Sequence, residues 1–456
     1  MSVRIAGAGC CLMDILYPKV DFSSAAFQAL RSRVDGDGGL APGRLVFTDG
    51  VERFLAQADA AAGRRPRPLA EALAELSGGQ APAAENIGGP SIVALIHAAQ
   101  MLAGEDVKVE FHGARGDDAL GARLLAMLGR TPVNLASLRQ APGRTPSTLV
   151  YSDPEWDGGR GERCFVNDLG VAERCTPADL GPDFLSADIV ALGGTGLVPP
   201  LHDALPELLG AAKARGALTV VNTVFDFRNE RRNPAAPWPL GPPSDSASPG
   251  PAVSYENCDL LIMDRDEALR LSGAASLPAA FDFFERSGVG AFLVTRGGES
   301  VVAWAAEGRF RAQTRRELPV SERAARELAA QKASGLRSGD TTGCGDAFAG
   351  GVLASLAAQL LAGRRGRTRN RQAEGPGSAD RSGSADRSGS ADRSGSARGP
   401  EPAAGLDLAA AAGWGVAGGA ATLFTLGGTF YEGRAGEKRA IVEGFHRDWL
   451  GQTNKA

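Results

Sequence analysis

From residue 189 onward the chain repeats one pattern: a short apolar run, rich in β-branched residues, stops at a polar residue or glycine and gives way to a helical stretch. Ile189-Val190-Ala191-Leu192 runs into Gly193-Gly194, and a helix is predicted from about Leu201 to Arg215. Leu218-Thr219-Val220-Val221 comes next, and Leu260-Leu261-Ile262-Met263 precedes a helical stretch from Asp266 to Leu271. Ala291-Phe292-Leu293-Val294 leads into Thr295-Arg296-Gly297-Gly298, after which Ser300 to Trp304 reads as the second arm of a hairpin. Strands alternating with helices specify an α/β fold, a doubly wound and mostly parallel sheet flanked by helices. Ligands of such sheets sit beyond the carboxyl ends of the strands, so the polar residues ending these runs are where chemistry is expected.

The bulk numbers narrow the function. A formal charge of −4, from 49 basic and 53 acidic residues, argues against a nucleic-acid footprint. Cys10, Cys11, Cys164, Cys175, Cys258 and Cys344 are scattered without a C-x-x-C pair or a nearby histidine, so neither a disulfide framework nor a zinc site is expected, and the compartment reads as reducing and cytoplasmic. The stretch from Met1 to Leu12 is too short in apolar residues for an export signal, and no run is expected to reach the length of a membrane span. Asn233 to Ser254, rich in Pro, Ser and Gly, reads as a surface loop. Residues 363–404 carry Gly-Ser-Ala-Asp-Arg-Ser in tandem and are expected to form a disordered low-complexity insertion, leaving one domain built from residues 1–362 and 405–456.

The strongest local signal is Asp340-Thr341-Thr342-Gly343-Cys344-Gly345-Asp346-Ala347-Phe348. Phe348, Val352, Leu356 and Leu360 recur every four residues, so a helix with one apolar stripe begins near Asp346. A glycine-punctuated loop ahead of a helix aims unpaired backbone N–H groups and the positive end of the helix dipole at one point, a site for an anion. Small residues at Gly343 and Gly345 let the backbone approach closely, and Asp346 can accept the proton of an attacking hydroxyl. An aspartate at a helix start is by itself an ordinary cap; the full string is much more specific.

That string resembles the D-T-x-G-x-G-D signature of the ribokinase-like (PfkB) carbohydrate kinase family. The resemblance extends from Ile5 to about Phe430, and it implies an ATP-dependent kinase with magnesium that phosphorylates a hydroxyl of a small sugar or sugar-like acceptor. It implies that Asp346 is the catalytic base and that Gly343, Cys344 and Gly345 form the anion hole, with cysteine where alanine is more usual. Asp340 and Thr342 match positions that help hold a monovalent cation such as potassium in some members. Asp14, after the strand Ile5 to Gly9, matches a carboxylate that grips substrate hydroxyls; the rival reading of Gly7-x-Gly9 as a dinucleotide fingerprint lacks its third glycine. Gly88-Gly89 matches the paired glycine against which substrate lies, but Val93 stands where many members have a substrate-contacting Asn. Arg115, in the block Gly113 to Gly121, is a substrate candidate, whereas Asp118 there reads as a helix cap.

Asp264-Arg265-Asp266-Glu267 resembles the N-x-x-E motif that organises magnesium and phosphates, Glu267 reaching the metal directly or through water. Its competing reading is a pair of ordinary helix-start acids. Thr295, Gly297 and Gly298 match the turn that receives the nucleotide, and Asn222 is a further nucleotide candidate. A small β lid is expected from strands within about residues 16–85 and 148–168, and family members often pair through that lid, which would make a homodimer. Asp37 to Gly43, followed by Leu45-Val46-Phe47, resembles adenosine-kinase-like relatives, so a nucleoside acceptor is the alternative. A catalytically silent, kinase-shaped sensor of sugars or nucleotides is the reading from a different class; the changes at Val93 and Asp264 leave room for it, and the intact Asp346 argues for chemistry.

Overall fold

The computed structural model describes residues 2–34, 36–159, 161–222, 255–335, 341–373, 405–425 and 427–454, with side chains to 368 in the fifth segment. Two predicted features, the loop at 233–254 and Asp340, lie outside the described residues.

Strands β1 (Val3–Gly9), β5 (Val107–Gly116), β6 (Leu138–Ala141), β9 (Ile189–Gly193), β10 (Leu218–Asn222), β11 (Leu260–Asp264) and β12 (Ala291–Thr295) lie parallel. The antiparallel β13 (Ser300–Ala305) and β14 (Gln313–Pro319) complete a sheet ordered β14-β13-β12-β11-β10-β9-β1-β5-β6. The central strands are buried on both faces because successive side chains enter opposite cores. Ile189 and Ala191 pack into one apolar cluster and Val190 and Leu192 into the other. The expected α/β architecture, a mostly parallel sheet flanked by helices, is the observed one.

A second sheet, ordered β3-β8-β7-β2-β4, stands over the carboxyl ends of the first. It is built from β2 (Leu12–Tyr17), β3 (Leu45–Phe47), β4 (Ala84–Gly88), β7 (Ser147–Asp153) and β8 (Glu162–Asp168). One face of this lid is covered by helices α1 (Ala25–Leu30), α2 (Thr48–Ala61) and α3 (Leu69–Leu76): Phe27, Leu30, Val51, Leu55, Leu73 and Leu76 bury Val46, Tyr151, Cys164 and Val166. Strand alternation then turns Thr148, Phe165 and Asn167 to the opposite face.

Two elements differ from expectation. The stretch from 201 to 215 is two helices, Pro199–Asp203 and Leu205–Ala214, because Pro206 can supply no N–H to a continuing ladder and is tolerated only in a first turn. The helix predicted near Asp346 starts at Cys344 and runs to Ala373, well past residue 363. Arg364 holds that extension by an ion pair with Asp188 and a hydrogen bond to the Ser2 carbonyl; residues 374–404 lie outside the described residues. The same helix corrects the expectation that no run reaches a membrane span. Cys344–Thr368 is long and apolar enough to cross one, yet 67% of its apolar window is buried inside the fold.

Its partners there are helices α4 (Pro90–Met101) and Leu408–Thr422. Glycines make that packing close: a side chain on Gly350 would strike the Ala94 carbonyl at 2.5 Å, and one on Gly351 the Trp414 carbonyl at 2.4 Å. The first turns of the helix are thereby fixed between these two partners.

Candidate active site

The ends of the parallel strands form one floor. Gly9 pairs with Gly193, Gly193 with Asn222, and Asp264 with Thr295. The chain passes from β1 through Cys10 and Cys11 directly into β2 of the lid, and the Cys10 N–H donates to the Gly193 carbonyl at 3.0 Å. Asp14 therefore hangs over the floor, half-buried, opposite Thr148 on one side and Asn86 on the other. Gly88 is needed beside it, since a Cβ there would lie 2.3 Å from the Asp14 Oδ2.

Between lid and floor lies a cleft of 430 Å³. Leu12, Asp14, Leu45, Gly89, Thr148, Phe165 and Asn167 line its lid side, and Gly194, Leu197, Asp264, Asp266 and Glu267 its floor side. The predicted acceptor-gripping carboxylate and the predicted phosphate-organising acids thus share one cavity.

The glycine loop leads to Asp346, whose charge reaches Asp14 in the cleft. Gly343 is held in the left-handed region, φ +76°, with a built Cβ 2.3 Å from the Gly428 Cα, so no other residue fits without moving backbone. Cys344 donates to the Thr341 carbonyl at 3.3 Å, and the helix opens with Asp346 in its first turn. A side chain built on Gly345 meets nothing within 4 Å, so open space faces this first turn, where N–H groups lack partners inside the helix.

Burial pushes the Asp346 carboxyl up to about 6. Burial also pushes Asp14 up to about 7; the hydrogen bond from Thr148 opposes the rise, the charge of Asp346 adds to it, and the Arg163 guanidinium pulls it back. Asp14 and Asp346, from opposite ends of the chain, are therefore close enough for the charge of Asp346 to raise the Asp14 carboxyl.

On the floor side, Asp264 and Glu267 cap the helix Arg265–Ser272 reciprocally: the Glu267 N–H donates to Asp264 Oδ1 at 2.8 Å, and the Asp264 N–H to Glu267 Oε2 at 2.9 Å. The cap reading is therefore observed, and Asp264, Asp266 and Glu267 all line the cleft. Among the described residues no three His, Cys, Asp or Glu side chains gather into a ready metal cage. Magnesium is usually held by one or two carboxylates together with water and substrate phosphates. A monovalent cation fits less well at Thr342, whose hydroxyl accepts a hydrogen bond from the Arg163 guanidinium, already a positive charge. Thr295 lies across from Asp264 at the floor's edge, and Gly297, φ +59°, and Gly298 follow it in the exposed turn to β13. Asn222 ends β10 and is buried.

Arg115 is not brought into the cleft. It donates to Gln140 Oε1 at 2.9 Å and to the Gly116 carbonyl at 3.2 Å, both near the β6 edge of the sheet. Asp118 caps helix α5 (Ala119–Leu128) and receives Thr145, the structural role its sequence suggested. Thr148, Arg163 and Asn167 are expected from sequence only as parts of lid strands; in the structure Thr148 and Asn167 line the cleft and Arg163 bonds Thr342. The period-two spacing of Arg163, Phe165 and Asn167 was the available signal, since it puts them on one face of β8.

The pfkB family carbohydrate kinase profile matches residues 84–368, more than half of the chain. Among curated proteins none matches the sequence significantly. Solved structures share the fold at low identity. The adenosine kinase from Sinorhizobium meliloti is 18% identical, with 78% of this chain and 88% of that one covered at a TM-score of 0.51. A probable sugar kinase from Rhizobium etli CFN 42 is 16% identical, with 98% and 100% covered at 0.56. The ribokinase from Thermotoga maritima is 13% identical, with 98% and 99% covered at 0.52. With its profile match, its two-sheet architecture and its glycine loop ahead of Asp346, this chain belongs to the pfkB family of carbohydrate kinases.

Proposed function

We propose that the protein is an ATP-dependent kinase that transfers the γ-phosphoryl group to a hydroxyl of a small sugar or sugar-like acceptor, with Asp346 as general base. The observation that carries this reading is the nearness of Asp346 to Asp14, which lines the cleft, both carboxyls being shifted towards neutrality. A base works best when its pKa lies near the working pH.

In this reading the acceptor lies under the lid, its hydroxyls held by Asp14 and the Gly88-Gly89 turn. The acceptor oxygen attacks the γ-phosphorus, the bond from that phosphorus to the β–γ bridging oxygen breaks, and the hydroxyl proton passes to the Asp346 carboxylate. The products are a phosphomonoester and ADP. The N–H groups from Gly343 to Gly345 face the charge that grows on the transferring group, the stabilisation phosphoryl transfer most needs. Magnesium, when bound, neutralises the nucleotide's phosphate charge; Asp264, Asp266 and Glu267 are the carboxylates that would hold it. The Thr295 to Gly298 turn and Asn222 complete the nucleotide side.

The lid contributes Arg163, which spans from β8 to Thr342 and ties the cover to the glycine loop. A closed cover excludes water, the competing acceptor. Pairing of two copies through the lid is not part of this reading, because α1 to α3 already cover its outer apolar face. A reducing, cytoplasmic setting belongs to this reading, on the scattered cysteines of the sequence. A nucleoside acceptor is the second reading, favoured by Leu12, Leu45 and Phe165, whose apolar wall suits a flat ring. The test is Asp346→Asn assayed with ATP, magnesium and an acceptor panel. Turnover is expected to fall by about 10²–10⁴-fold, with nucleotide affinity retained; a variant that turns over like the wild type refutes the assigned base.

A further inference from the structure

The lid sheet carries one polar rank across its cleft face. Register places Asn86, Asp14, Thr148 and Asn167 side by side on four adjacent strands, with Phe47 beyond them. Residues directly opposite in neighbouring strands share a face, so this rank points one way. Thr148 hydrogen-bonds Asp14. Asn167 is different: its side chain is 1% exposed, it lines the cleft, and neither its Nδ2 nor its Oδ1 has a hydrogen-bond partner.

A buried carboxamide with both ends unmet is costly, and native proteins rarely keep one. The surroundings make it more so, since Leu45 and Phe165 flank it on the lid and Leu197 lies across the cleft. A leucine or valine would suit such a collar better if folding were the only demand. The side chain therefore waits for something that enters the cleft. A carboxamide presents a donor and an acceptor side by side, so its complement is a group offering an acceptor beside a donor. A pair of neighbouring hydroxyls has that chemistry, and so does the amide-like edge of a heterocyclic base.

Position says which end of the acceptor this is. Asn167 stands two strands from Asp14, about 10 Å along the sheet at the usual strand spacing. We infer that Asn167 is a specificity-determining residue that reads the end of the acceptor remote from the phosphorylated hydroxyl, through a paired donor and acceptor. This assignment rests on the kinase reading of the cleft, and it names a residue that recognises substrate without taking part in the transfer.

The test compares wild type with Asn167→Leu and Asn167→Ala, using D-ribose, D-fructose and adenosine as acceptors with ATP and magnesium. Loss of two neutral hydrogen bonds is expected to lower kcat/KM for the preferred acceptor about 10- to 100-fold, carried by KM rather than kcat. A sugar preference identifies the complement as a hydroxyl pair, and an adenosine preference as a base edge. Without ligand, Asn167→Leu is expected to melt at or above the wild-type temperature, because a leucine leaves no polar group unmet. A variant that keeps kcat/KM within threefold, or one that melts well below wild type, overturns the assignment alone. A wild type inert towards all three acceptors overturns the kinase reading, and this assignment falls with it.

Discussion

Two glycines a single residue apart in the same loop should respond to the same methyl group in opposite ways. Gly343 sits at φ +76°, and a Cβ there falls 2.3 Å from a backbone carbon of Gly428. Alanine in the left-handed region costs about 1–2 kcal/mol, and forcing apart two packed backbones adds about 1–3 kcal/mol. Gly343→Ala is therefore expected to lose roughly 2–5 kcal/mol, a large share of a typical total of about 5–15 kcal/mol. Gly345 has no such strain, a built Cβ finds nothing within 4 Å, and the residue already lies in a helix. Alanine there is neutral or stabilising by up to about 1 kcal/mol.

Activity should separate the pair the other way. The methyl of Gly345→Ala projects into open space, which in the proposed mechanism belongs to the transferring phosphoryl group. Blocking that approach should cost at least as much as deleting one oxyanion donor, about 10²–10³-fold in kcat. The assay is thermal unfolding beside steady-state kinetics on the same preparations. Gly343→Ala should melt several degrees low, whereas Gly345→Ala should melt with the wild type and be nearly inert. A Gly345→Ala enzyme with wild-type kcat/KM refutes the anion cradle, and a Gly343→Ala protein with wild-type melting refutes the packing argument.

Two further outcomes follow from the carboxylates. The base must be ionised to accept a proton, so kcat/KM should rise between pH 5 and 8 with an acid limb set by the Asp14–Asp346 pair at about 6 to about 7; a profile flat down to pH 5 contradicts the assignment. Because both folded values lie above the unfolded carboxylate value, these two groups favour the folded state most at acid pH. That contribution is lost as pH climbs through their folded values, so Asp346→Asn should melt at or above wild type at pH 8. Asp264→Asn separates the cap from the metal role, since asparagine caps as well as aspartate. It should leave melting unchanged while raising the magnesium needed for half-maximal activity about tenfold or more, and an unchanged magnesium requirement would leave Asp264 a cap only.

The sheet was legible because each central strand is a contiguous apolar run that needs cover on both faces, a property visible in a few residues of sequence. The glycine loop was legible for the same reason, its loop, helix start and acid lying in one unbroken string. What escaped were features fixed by distant partners. The helix from Cys344 continues past Gly363 because Arg364 finds Asp188 on the far side of the sequence. Arg115 sat in a recognisable block, yet only the edge strand β6, with Gln140 on it, decides where its guanidinium goes. The lid was expected as strands but not as a surface, since Asp14, Thr148 and Asn167 become neighbours only once three strands take their register.

That division gives a physical account of the departure at position 93. Where an asparagine would reach for substrate, Val93 is 2% exposed and its methyl lies 3.1 Å from a Cβ built on Gly428, the residue whose backbone backs Gly343. The position is spent on packing behind the glycine loop, so a polar side chain there would have to leave that contact. Recognition on the proposed assignment has instead moved across the cleft to Asn167, buried and unpartnered on the lid. Phosphoryl transfer needs a fixed local geometry, which one contiguous motif can encode, whereas the acceptor is read by a rank of side chains drawn from separate strands. The chemistry can therefore stay recognisable in sequence while the substrate drifts, and in this chain the residue that should be changed to alter acceptor choice is 167 rather than 93.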